Sequence, residues 1–189
     1  RIDTGAALLG DLNIAGIRLS IRNGTVEGRS DDIDAGDITI TESKQLATGG
    51  KLEGVKIVRP VFIVERSGRY RASADMSIGG GTVGSIALGA ATANVLINND
   101  VARLTDLNAD VMNGKLDGNL AIALDDRTRS DIDVNFNNLD LSKLIALQSG
   151  RVIPLQGQTS GTAKLSYPGG DWNRATGNID ARIVANAGD

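Results

Sequence analysis

Apolar and polar residues alternate with a period of two along nearly the whole chain, in short runs broken by Gly, Asn and Asp. Period two is the side-chain repeat of a β-strand, and it leaves little room for any other regular structure. Leu116, Gly118, Leu120, Ile122 and Leu124 fall on one face, while Asp117, Asn119, Ala121 and Ala123 fall on the other. Ile132, Val134 and Phe136 oppose Asp131, Asp133 and Asn135 in the same way. Ile17, Leu19 and Ile21, Ile38 and Ile40, Val95 and Ile97, Ala163 and Leu165, and Ile179, Ala181 and Ile183 repeat the pattern. One aliphatic face and one polar face describe an antiparallel sheet with a solvated side. The spacing predicts an all-β chain of roughly 11 to 13 strands.

Turn signals punctuate these runs. Asn23-Gly24 and Asn113-Gly114 read as hairpin turns, and Ser67-Gly68, Asn98-Asn99-Asp100 and Pro168-Gly169-Gly170 as further turns. Only residues 140–147 read as helix, with Leu141, Leu144, Ile145 and Leu147 at helical spacing, Asp140 as N-cap and Gly150 as the stop. A helix this short needs a surface to pack on, which places it across an edge or mouth of the sheet.

An aliphatic face cannot stay in water, because about 25 cal/mol is at stake for each Å² of apolar area. With no second layer of helices in the pattern, the sheet either closes into a sandwich or barrel or folds lengthwise on itself. Composition bears on the choice. Aromatic residues make up only 3% of the 189, so nearly all of the 41% that is hydrophobic is aliphatic, which suits a thin core one sheet wide. Gly118, Ala163 and Ala181 within the inward rows would leave space rather than fill it. The expected fold is an elongated antiparallel sheet curled into a U-shaped hydrophobic trough, with one short helix. A dozen strands about 4.8 Å apart would run roughly 55 to 60 Å, and an acyl chain needs about half of a 30 Å bilayer core.

The chain begins at Arg1 without a signal peptide or a membrane-spanning apolar run, and residues 1–189 are expected to be a single β-rich segment of a longer protein. A formal net charge of −3, without a basic run, argues against nucleic acid and against an anionic-membrane patch. The chain has no His, so the commonest general base and metal ligand are missing, and no Cys, which is compatible with the periplasm. Three runs invite a chemical reading and favour a plainer one. Asp31, Asp32, Asp34 and Asp37 lack the spacing of a calcium loop and read as a solvated acidic loop. The run from Gly79 to Gly84 leads into an alternating stretch without Lys, so it reads as a turn or bulge rather than a phosphate cradle. Residues 125–131 read as an exposed hairpin end, since a sugar site would add aromatic platforms and Trp172 stands alone.

Residues 134–144, containing Asn138-Leu139-Asp140-Leu141-Ser142-Lys143-Leu144, together with residues 154–163, Pro154-Leu155-Gln156-Gly157-Gln158-Thr159-Ser160-Gly161-Thr162-Ala163, resemble TamB-type repeats. Residues 101–124 are similar to the repeating units of AsmA-like proteins, and the resemblance covers about residues 75 to 185. It implies a periplasmic β-structure with a hydrophobic channel, in a chain anchored in the inner membrane and reaching the outer one. It also implies phospholipid transport and, for some members, work with a BamA-like outer-membrane barrel protein. No catalytic residue or cofactor comes with the family. The residues expected to line a lipid groove are Val95, Ile97, Leu116, Leu120, Ile122, Leu124, Ile132, Val134, Phe136, Leu165, Ile179 and Ile183. The rival reading is a closed solenoid or sandwich that spans distance or binds a protein, as an adhesin does.

Overall fold

The computed structural model describes residues 2–3, 7–9, 12–41, 49–84, 86–143, 156–169 and 171–186. Its strands all belong to one sheet of fifteen, and every pairing in it is antiparallel. The first six strands are β1 (Ile2–Asp3), β2 (Ala7–Leu9), β3 (Asn13–Ala15), β4 (Arg18–Arg22), β5 (Thr25–Arg29) and β6 (Asp32–Ile40). Then come β7 (Gly50–Val64), β8 (Tyr70–Ile78), β9 (Gly80–Val83), β10 (Ile86–Asn98) and β11 (Val101–Val111). The last four are β12 (Gly114–Ala123), β13 (Arg129–Asp140), β14 (Gln156–Pro168) and β15 (Thr176–Asn186). From β10 to β15 each strand pairs with the next in sequence, a plain meander. At the other side β2 and β3 both pair with β6, and the β4–β5 hairpin joins β7 through β5.

The all-β expectation holds, with more strands than the spacing indicated. The difference lies in the short pieces β1 to β3 and in β9, which hides in the glycine run. β8 and β9 together fill the place of one long strand between β7 and β10, interrupted at Gly79. The acidic run is a correction. Asp32, Asp34 and Asp37 belong to β6 rather than to a loop, and Asp37 meets Lys51 of β7 at 2.9 Å. Asp31, just before β6, lies 3.7 Å from Arg18.

The Asn23-Gly24 turn is as expected, with both residues at positive φ (50° and 76°) and Arg22 facing Thr25. The second hairpin turn is displaced by one residue. Met112 and Asn113 carry the positive φ (49° and 64°), and Gly114 is already paired with Val111. Glycine is needed at 114 for another reason: an added Cβ would lie 2.4 Å from the Asn137 carbonyl oxygen.

Where the expected helix begins, Leu141–Lys143 form a helical turn. The Asp140 carboxylate accepts from the Ser142 and Lys143 N–H groups at 3.0 and 3.4 Å, as an N-cap should. Residues 144–150, with the rest of that helix and its stop, lie outside the described residues. Trp172–Arg174 form a short 3-10 turn between β14 and β15.

Three of the interruptions in the pairing carry a non-glycine residue at positive φ and keep the apolar rows in phase. Between Leu104 and Leu107 of β11, and between Phe136 and Leu139 of β13, two residues stand opposite one on the partner strand, with Asp106 and Asn138 at positive φ (51° and 55°). Asx side chains tolerate that conformation better than most. Neighbouring strands satisfy the freed backbone: Asp106 N–H donates to Asn119 at 3.3 Å and Asn138 N–H to Ser160 at 2.9 Å. The third, on β7, falls between Val58 and Val61 and contains Arg59 at φ 52°, ion-paired to Asp75 of β8.

Buried residues gather toward the two ends of the strands. At one end Ala35, Val55 and Ile78 form one cluster and Ala109, Val111, Met112 and Leu139 another, bridged by Leu88 and Ala91. At the other end Val101, Ala123, Ser130 and Tyr167 are buried. There the Ser130 hydroxyl donates to the Gly169 carbonyl at 2.7 Å and accepts from Ala123 N–H at 2.9 Å.

Candidate functional site

Residues directly opposite one another in an antiparallel pair project to the same face, so the register tells which candidates share a surface. Ala74, Val95, Leu104, Leu120, Ile132, Leu165 and Gly177 form one unbroken row across β8 and β10 to β15. A second row runs through Leu19, Gly28, Phe62, Ala72, Ile97, Ala102 and Ile122. Val134 sits between Gly118 and Ala163, and Ala163 faces Ile179. Leu116 and Phe136 face each other, between Ala109 on one side and Gly161 on the other. Ile183 faces Thr159 of β14 and has the parity of Ile179. Leu124 lies just beyond β12, its N–H bonded to the Asp100 carbonyl at 2.8 Å.

The candidates therefore assemble on one side of one sheet, but they are not equally covered. Val95, Ile97, Leu116, Leu120, Ile122, Leu124, Ile132, Phe136 and Leu165 are half-buried. Val134 is buried, with 6% of its surface exposed. Ile179 and Ile183, on the terminal strand, are exposed to 59% and 58%. The rows also contain members absent from the sequence-derived set: Leu104, Leu107, Ala109, Ala91 and Ala74. The signal for two of them is legible in retrospect. Leu104-Thr105-Asp106-Leu107 and Phe136-Asn137-Asn138-Leu139 both place apolar residues three apart around an Asx, the mark of a bulge that resets the phase.

The expectation that small residues leave space in these rows needs correction at the glycine. A Cβ on Gly118 would lie 2.2 Å from the Asp133 carbonyl oxygen and 2.7 Å from the Val134 Cα. Gly161 meets Asp180 and Ala181 of β15 in the same manner. Gly118 has φ of 145°, which L side chains rarely adopt, and glycines of this kind permit a sheet to bend. The room a side chain would need is taken by the adjoining backbone.

The opposite face is polar and carries the ion pairs, among them Lys164–Asp133 at 3.1 Å, Lys51–Glu53 at 2.9 Å and Lys115–Asp110. All are exposed and contribute little individually. Shallow depressions on that side, such as the one lined by Arg59, Ser73, Asp75, Asn94 and Thr105, lie around the bulges. Four carboxylates are held below their ordinary range. Asp37 is lowered by its bond from Lys51 and Glu65 by that from Arg69. Asp125 is lowered by the Thr128 hydroxyl and backbone, and Asp140 by the Ser142 hydroxyl and the N–H groups of the turn that it caps. Each of these is a structural contact between neighbouring elements or within a turn. The aliphatic rows contain no titratable group, so what that face offers chemically is a surface for hydrocarbon.

Comparison of the chain with protein-family models, with curated proteins and with solved structures finds no match in any of the three.

Proposed function

We propose that the aliphatic side of this sheet is the wall of a U-shaped trough that holds phospholipid acyl chains and lets them slide along it. The observation that carries the reading is the unbroken row from Ala74 to Leu165, half-buried at every position, yet covered by no second layer among the described residues. In a single sheet, apolar side chains gain shelter from one another only when the sheet curves toward them. The glycines at 118 and 161 and the bulges on β11 and β13 are the devices by which sheets are curved. Eleven strands lie along the main path of the sheet, a run of roughly 50 Å at 4.8 Å spacing. That length accommodates several acyl chains, each about half of a 30 Å bilayer core. Apolar area alone would hold them, so the headgroup would be left in water and chain identity would matter little.

The wider role follows the resemblance to TamB- and AsmA-like proteins: a periplasmic span between inner and outer membranes, in a chain anchored in the inner membrane. Outer-membrane assembly with a BamA-like barrel protein belongs to the same reading. No catalytic step and no cofactor enter it.

Native mass spectrometry with lipid extraction tests the trough. The chain purified from a bacterial periplasm should carry phospholipid, and Leu120→Glu and Ile132→Glu should each lose most of it while keeping the β-signature in circular dichroism. Glutamate is the better probe than arginine, whose stem can lie along apolar surface and whose head would attract a phosphate. Val134 is too buried to serve. Lipid retained in full by both variants, or a clean apo mass for the parent chain, would overturn the reading and return attention to a closed β-fold that binds a protein.

A further inference from the structure

Two Asn-Gly pairs sit at hairpin turns of this sheet, and the fold treats them in opposite ways. Asn23-Gly24 joins β4 to β5 and stands beyond their last paired residues, Arg22 and Thr25, so strands alongside leave it open. Both residues are exposed. Among the described residues the Asn23 side-chain amide bonds to nothing, and neither does the Gly24 N–H. Asn113-Gly114 lies between β11 and β12, and there the side-chain amide is held at both of its polar atoms. Asn113 Nδ2 donates to Asp140 at 3.4 Å, and Asn113 Oδ1 accepts from the Lys143 ammonium at 3.0 Å. Gly114 is buried and paired with Val111. The atoms nearest an added Cβ on Gly114 are backbone atoms of Asn137 and Asn138, whereas on Gly24 they belong to the exposed side chain of Arg66.

An asparagine followed by glycine is open to attack by its own backbone, because glycine has no Cβ to obstruct the nitrogen that follows the asparagine. The deprotonated glycine nitrogen bonds to the asparagine Cγ, the bond from Cγ to Nδ2 breaks, and ammonia leaves a cyclic succinimide behind. Water then opens the ring. Addition at Cγ gives aspartate, and addition at the main-chain carbonyl gives isoaspartate, in which the backbone runs through Cβ and Cγ. Closing the ring requires the peptide to rotate out of the turn, so the cost of opening the turn locally governs the rate. We propose that Asn23 is a site of spontaneous, water-driven conversion to aspartate and isoaspartate, and that Asn113 is protected by its two tethers and by the packing of Gly114. The isoaspartyl product adds a methylene to the backbone of a tight turn. Arg22 and Thr25 then lose their register, and the β4–β5 hairpin opens at its tip. The aspartyl product keeps the length of the backbone, and Asp-Gly suits the same turn.

Ageing the full chain in mildly alkaline heavy-oxygen water, followed by peptide mapping in the mass spectrometer, tests this. Residue 23 should turn from amide to acid with uptake of one heavy oxygen, partly as isoaspartate, at a rate that rises with hydroxide concentration. Asn113 should convert about tenfold more slowly or slower still, since opening its turn breaks bonds to two charged groups. In concentrated urea the difference between the two sites should vanish. Amide exchange at Arg22 and Thr25 should quicken in the isoaspartyl form and keep the parent's rate in Asn23→Asp. An Asn23 that converts no faster than Asn113 would overturn the proposal. So would a difference that survives in urea, which would place its cause in the flanking residues rather than in the fold. Exchange as fast in Asn23→Asp as in the isoaspartyl form would overturn the role given to the added methylene.

Discussion

In the meander β10–β14 and in the hairpin β4–β5 the same alternation is written with the same kinds of residue, yet solvent reaches them very differently. Leu116, Leu120, Ile132 and Leu165 have paired strands on both sides and are half-buried, and Val134 among them is buried. Among the described residues β4 has a paired strand on one side only, and its Leu19 and Ile21 are exposed to 62% and 68%. Period two decides which side of the sheet a residue takes. Shelter on that side depends on having neighbours across two strands, and on how the sheet is bent where the residue sits.

The largest break in this comparison comes from glycine. Gly118→Ala drives a methyl into the Asp133–Val134 backbone and demands a φ of 145° from an L-residue, with no flexible group able to move aside. About 3 kcal/mol of stability should be lost, read as a fall of roughly 6 to 12 °C in the melting temperature of a chain this size. Gly28 in the β4–β5 hairpin makes the contrasting case. The three atoms nearest an added Cβ there all belong to the ring of Phe62, the first at 2.1 Å, and Phe62 is a side chain 44% exposed rather than backbone. Gly28→Ala should therefore cost about 1 kcal/mol or less. Equal melting temperatures for the two variants would mean that the meander yields as easily as the edge.

A smaller effect separates the apolar residues themselves. Val134→Ala removes two carbons from a buried position and should cost about 2 kcal/mol. Leu19→Ala removes more carbon from an exposed position and should change stability by about 0.5 kcal/mol or less. Urea denaturation of both variants checks this, and a larger loss for Leu19→Ala would mean that β4 is covered in solution.

Much of this was legible in the residues. The all-β class, the Asn23-Gly24 turn, the Asp140 cap and the common face of Val95, Leu120, Ile132 and Leu165 all follow from period two and from turn chemistry, which are local properties. Bulges are not local in this sense. Asp106 and Asn138 look like ordinary polar residues until their strands are paired, and so alternation alone leaves Leu104 and Leu107 outside the groove set. Gly114 shows the same limit: its turn signal is real, but what requires glycine there is the backbone of β13, which sequence spacing does not locate. Exposure is the least legible property, because Leu19 and Leu120 sit in alternating runs of the same kind, while described strands flank β12 on both sides and β4 on one.

The mildest contrast concerns acid. Asp37 and Glu65, toward the β4–β7 side, are lowered by the side chains of Lys51 and Arg69. Asp125 and Asp140, in the meander, are lowered by hydroxyl and backbone N–H donors of their own turns. All four have folded values below their unfolded ones. Each contribution is therefore complete above the unfolded carboxylate range, near pH 4, and is lost as pH falls through the lower, folded value. The donors make the two sides respond differently to salt. Exposed ion pairs are screened within about 10 Å at 0.1 M and about 3 Å at 1 M, whereas a short bond from an N–H or hydroxyl inside a turn is not. Raising salt from 0.1 to 1 M should thus flatten the acid-induced increase in amide exchange around Asp37 and Glu65 and leave it in place around Asp125 and Asp140. Asp140→Asn isolates one turn, since asparagine caps as well as aspartate without titrating. Near neutral pH it should melt with the parent, and below pH 4 it should lose less stability than the parent does, while Asp140→Ala should lose about 1 kcal/mol near neutral pH and less in acid, where the parent's own cap is being protonated. An Asn variant that falls with acid as steeply as the parent would show that the cap contributes nothing to the acid sensitivity of the meander.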